Sequence, residues 1–156
     1  MFEIRLTDSG LAFYTEYSVI VDTTFYVQYG EECFPYEGWN DSVNHILPMW
    51  AEALLANRRG KEASYRLYFM DGPYRIDVRQ TDGRLLLQGI EDGSKQRIVF
   101  SCTCTQAEVL REVLKAFQRL EKIIYLHDAI RDEDAKSVLN TIRHYTKQIR
   151  RALEEA

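Results

Sequence analysis

Three turn signals govern how this chain can fold. Asp71-Gly72-Pro73, Asp82-Gly83 and Asp92-Gly93 separate four stretches of alternating or apolar residues. Glycine accepts the positive φ of a tight hairpin, and aspartate bonds its own backbone two residues on. The stretches at about 62–70, 74–79, 84–90 and 96–104 are therefore expected to form a four-stranded antiparallel meander.

The segments around the meander alternate at two different periods. FEIRL at 2–6 alternates apolar and polar ahead of the turn signal Asp8-Ser9-Gly10. Tyr17 to Tyr29 holds period two throughout, which predicts a strand with one buried face. It reads as one long bent strand or as a hairpin turning near Val21-Asp22-Thr23, and the lack of a glycine there favours the long strand. Beyond residue 40 the period lengthens. Val43, Ile46, Leu47, Trp50 and Leu54 recur at helical spacing to about Asn57, with Asn40 or Asp41 as the natural N-cap. Pro48 lacks a donor N–H and clashes with the carbonyl one turn back, so a kink or a restart is expected there.

Thr105-x-x-Glu108 is a capping box, and Leu110, Val113, Leu114, Phe117, Leu120 and Ile124 behind it define a helix to about His127. Asp128 to Asp134 contains the next helix start, and the last helix runs over about 133–154. The expectation is an α+β fold in one domain over residues 1–156. It has an antiparallel sheet of about five to six strands, one inserted helix and two C-terminal helices.

Chemistry leaves few marks on the sequence. Cys102 and Cys104 lie two apart on an expected strand and point to one face, which suits core packing better than the looped pairs of a metal site. Cys33 has carboxylates for neighbours, and these raise a thiol pKa and suppress its reactivity. His45, His127 and His144 share no spacing with each other or with a candidate Ser or Cys. A hydrolase using His45 with nearby carboxylates therefore lacks a nucleophile–base pair. The glycines form no phosphate-cradling loop, and no cofactor or metal is expected. MFEIRL is not a secretory signal, the longest apolar runs fall far short of a membrane span, and three cysteines form no even framework. A cytoplasmic protein with no membrane or nucleic acid partner is expected.

Charge and aromatics gather in one place. Residues 1–57 hold nine acidic side chains against the single basic Arg5, a net −8, and the remainder carries +4. The two halves are expected to fold together and neutralise one another, the other reading being an acidic surface that attracts a basic protein. Within this third, EECFPYEGWND at 31–41 packs three aromatics among four carboxylates. Phe34 and Trp39 are expected to plug the core, since such rings bury large areas. Glu31, Glu32, Tyr36, Glu37 and Asp41 are the candidate protein-binding residues, showing carboxylates on a rigid aromatic base.

The order strand, FPYEGWND, helix with Trp50, then RLYFMDGPYRIDV resembles small bacterial α+β proteins of uncharacterised families, over roughly residues 14–125. Some of these resemble the immunity proteins of polymorphic and contact-dependent toxin systems. The resemblance implies a non-enzymatic domain that neutralises a cognate toxin by binding it; the −8 imbalance and the aromatic loop add the expectation that the toxin is basic and is occluded by the carboxylates around 31–41. A second reading is a structural homodimer, with the apolar stripe of the 133–154 helix paired to its copy in another chain.

Overall fold

The alternation read over Tyr17–Tyr29 becomes the axis of the first half of the molecule. The computed structural model describes residues 1–60, 62–127 and 132–155. Strand β3 (Ile20–Tyr29) is the centre of a five-stranded antiparallel sheet. It pairs with β1 (Phe2–Leu6) along Phe25–Tyr29 and with β4 (Glu32–Phe34) along Val27–Tyr29. Its first half pairs with β2 (Ala12–Tyr14) and with β5 (Asn40–Ser42). The hairpin into β3 therefore turns through residues 15–19, and Val21-Asp22-Thr23 lies inside the strand. Odd positions Val21, Thr23, Phe25 and Val27 are buried, as period two requires.

Strand β5 changes the expected helix start. Asn40 and Asp41 are extended against Asp22–Thr24, so α1 (Val43–Ala56) takes Ser42 as its N-cap. The helix continues through Pro48 without ending or restarting. The meander forms as read: β6 (Ser64–Tyr68), β7 (Tyr74–Thr81), β8 (Arg84–Asp92) and β9 (Gln96–Thr105) are neighbours in that order. Asp82 and Gly83 both take positive φ, 50° and 76°, the pairing that matches the twist of a two-residue hairpin.

Helix α2 (Gln106–Leu126) opens on the expected capping box, with the Glu108 amide donating to Thr105 Oγ1 at 3.1 Å and the Thr105 amide to Glu108 Oε2 at 3.3 Å. Helix α3 (Asp132–Glu154) follows, and residues 128–131 of the expected start lie outside the described residues. The α+β class, the inserted helix and the two C-terminal helices stand as expected. The strands number nine among the described residues and divide over two sheets, because three-residue strands are too short for an alternation to be read. No described helix is long and apolar enough to cross a membrane.

Aromatic rings join the two sheets. Phe25, Trp50 and Phe69 meet edge-on or tilted at 5.2–5.9 Å, and Phe34 meets Phe69 at 5.6 Å and Phe100 at 5.9 Å. Such pairs contribute about 0.5–1.5 kcal/mol each beyond the area they bury. Trp50 Nε1 donates to the Tyr68 carbonyl at 2.8 Å, so the buried indole leaves no donor unpaired. Helix α2 closes the edge of β1: Glu112 accepts from the Ile4 amide at 2.9 Å and Arg119 donates to the Ile4 carbonyl at 2.8 Å. Both backbone groups would otherwise be open to a foreign strand.

Helix α3 lays its apolar stripe on α1 and α2. Val138, Leu139, Ile142, Ile149 and Ala152 are buried within this chain. The stripe that would seam two chains is thus already covered. Tyr145 stacks on Phe117 at 5.9 Å and donates to Glu52 at 2.7 Å. Burial and that carboxylate push its phenol up to about 12.

Two outcomes follow from this packing. At Gly89, a bulge position in β8, an added Cβ would stand 2.7 Å from the Phe34 ring. Gly89→Ala should lower stability by about 1–3 kcal/mol in urea unfolding, through overpacking. Tyr145 keeps its proton longer folded than unfolded, so its contribution is complete below about pH 10 and lost as pH rises towards about 12. Tyr145→Phe should flatten the fall in stability across that window, and absorbance titration of the native protein should lose one late-ionising tyrosine.

Candidate functional site

The 31–41 segment is held from below by one carboxylate. Asp41 is fully buried and accepts from Trp39 Nε1 at 2.9 Å, the Ser42 amide at 2.7 Å, and the Met70 and Asp71 amides at 3.2 Å. It ties the loop to the turn that ends β6. Burial pushes its carboxyl up, and the N–H donors from Trp39, Ser42 and Asp71 offset only part of that rise. Asp41 therefore does not present a carboxylate to a partner. It was expected among the carboxylates that the 31–41 loop shows to a partner; here four donors draw the side chain inward instead.

Above Asp41 the rings form a ladder from core to surface. Phe34 is buried and meets Tyr74 at 5.7 Å, Tyr74 meets Trp39 at 5.1 Å, and Trp39 meets Tyr36 at 5.1 Å, all near perpendicular. Phe34 plugs the core as expected. Trp39 does so only in part: it stays half-buried, clamped between Tyr36 and Tyr74 with its indole nitrogen on Asp41. Tyr36 remains 54% exposed at the top of the ladder. The Trp39 amide bonds the Tyr36 carbonyl at 3.1 Å, which closes the turn between the two rings.

Glu31, Glu32 and Glu37 are exposed on the same segment, and none has an ion-pair partner among the described residues. Of the other early acids, Glu3 pairs with Arg5 at 3.2 Å and Asp8 with His127 at 3.3 Å. The later cations turn to later acids. Arg75 reaches Asp77 and Asp92 at 2.8 and 2.7 Å, Arg97 reaches Glu91 at 2.7 Å, and Arg58 reaches Glu155 at 2.6 Å. Among the described residues, no lysine or arginine of the later chain pairs with an acid of the first third. Cys33, half-buried beneath the acids, has its thiol pushed up by burial and by Glu37.

Tyr74 and Asp71 belong to this surface and were read only as strand and turn. Their one sequence signal is the Asp-Gly-Pro-Tyr order, which places a large ring just past a tight turn. His45 also has a partner that its spacing did not reveal. Ser42 Oγ lies 2.7 Å from His45 Nδ1, three residues away across the first turn of α1. The serine is only 9% exposed and is absent from the wall of the cavity that His45 lines, so the contact works as a helix-start clamp on the imidazole.

No family model, curated protein or solved structure matches this chain.

Replacing Asp41 by asparagine turns an N–H₂ towards groups that all donate. Asp41→Asn should lose about 1–3 kcal/mol in urea unfolding. Glu37→Gln, on the same loop but exposed, should stay within about 0.5 kcal/mol of the parent.

Proposed function

We propose that this chain is a non-enzymatic protein-binding domain that occludes a basic partner, in the manner of an immunity protein neutralising a toxin in the bacterial cytoplasm. The observation that carries this reading is the set of exposed carboxylates Glu31, Glu32 and Glu37, without an ion-pair partner among the described residues, on the segment that carries the exposed ring of Tyr36. An aromatic anchor ringed by polar groups is the composition of an interface hot spot. Negative charge that is exposed and unmatched raises the encounter rate with a basic protein. The Tyr36–Trp39–Tyr74 ladder and the Asp41 anchor hold the surface in one shape, so little order has to be gained on binding. Asp41 acts in this scheme as the positioning group below the surface, not as a contact.

The test uses the full chain as bait in its native host, beside a variant carrying Glu31→Lys, Glu32→Lys and Glu37→Lys. The parent should capture a basic partner. The variant should associate with that partner about tenfold or more slowly at low salt, with the difference shrinking as salt rises. Unchanged association kinetics would remove this loop from the interface.

A further inference from the structure

At the start of α1, the three helices leave a half-open cavity of about 470 Å³. That volume lies within the roughly 300–1,000 Å³ of small-molecule sites, which are mostly apolar with a few placed polar groups. Its walls come from α2 and α3, with Phe117 and Leu120 facing Val138 and Ile142. Pro48 and Met49 of α1 complete the apolar lining, and Met49 is partly exposed at the opening.

The polar part of the site is built and held. Asn44 at the rim donates to the Val19 carbonyl and accepts from the Val21 amide, both at 2.8 Å, which pins the chain entering β3 against the helix start. His45 is oriented by Ser42, whose hydroxyl makes its short contact with Nδ1 at 2.7 Å. In the tautomer whose Nδ1 accepts from that hydroxyl, the ring proton sits on Nε2 and the imidazole offers a donor. Asp22 faces Ser42 in the β3–β5 register, close to the same helix start. Its carboxylate disfavours an anionic head group beside the ring.

We propose that this cavity is a binding site for a small uncharged molecule with an aliphatic body and one carbonyl oxygen. The body lies among Phe117, Leu120, Val138 and Ile142, and the carbonyl accepts from His45. The cavity wall contains none of Glu31, Glu32, Tyr36 and Glu37, so a ligand here contacts none of the proposed partner residues.

The experiment titrates 2-octanone, with octanoate in parallel, into the full chain and follows methyl and imidazole NMR signals. The ketone should give saturable shifts at Leu120, Val138 and Ile142 and at the His45 ring, with octanoate binding more weakly. Thr141→Trp, which fills the cavity, should abolish the saturable shifts. Ser137→Trp, an exposed mouth position that leaves the core intact, should do the same if the first variant fails to fold. His45→Phe should weaken binding about tenfold, the loss of one hydrogen bond. Absence of saturable shifts, or shifts that persist in both tryptophan variants, would overturn the site. Octanoate binding as tightly as the ketone would overturn the assignment to an uncharged ligand.

Discussion

Everything in this fold is organised around the contact of Phe34 and Phe25 with Phe69 and Trp50. The first two rings belong to the five-stranded sheet, Phe69 to the end of the meander's first strand and Trp50 to the helix between them. Without this interlock two small sheets would each expose an apolar face. Burial of such rings is the dominant favourable term, at about 25 cal/mol per Å² of apolar surface removed from water. The backbone adapts to it. Strand β8 places Gly89 under the Phe34 ring at a bulge, because no side chain fits there.

The polar counterpart of the interlock is Asp41. A buried carboxylate is tolerated only where its lone pairs are filled, and four N–H groups from three places in the chain fill them. One consequence reaches the surface. The same bonds that satisfy Asp41 fix Trp39 and the turn at Met70–Asp71, which set where Tyr36 and the glutamates stand. Core chemistry thus decides the shape of an exposed patch. That patch keeps its charge because Arg75, Arg97 and Arg58 find acids of the later chain.

The helical layer follows a different logic. Helix α3 contributes its apolar stripe to α1 and α2, and its cations Arg143, Lys147, Arg150 and Arg151 remain on the outer face. Pro48 and Met49 of α1, Phe117 and Leu120 of α2 and Val138 and Ile142 of α3 line the cavity at His45.

What local sequence determined is what short-range physics controls. The meander follows from Asp-Gly turns, α2 from a capping box and a 3.6-residue stripe, and the burial of Phe34 from its size. The same signals fail where a residue's role depends on partners far along the chain. Asp41 reads as a helix cap, yet it is strand and anchor, because Met70 and Asp71 arrive only when the two sheets meet. Trp39 reads as core but stops halfway out, since Tyr74 takes the space beneath it. The strands β2, β4 and β5 are too short to show a period, and only the length of β3 makes pairing partners of them. Periodicity and turn chemistry are written into neighbouring residues; the pairing of charges, the ring ladder and the cavity at His45 exist only once distant segments share one space.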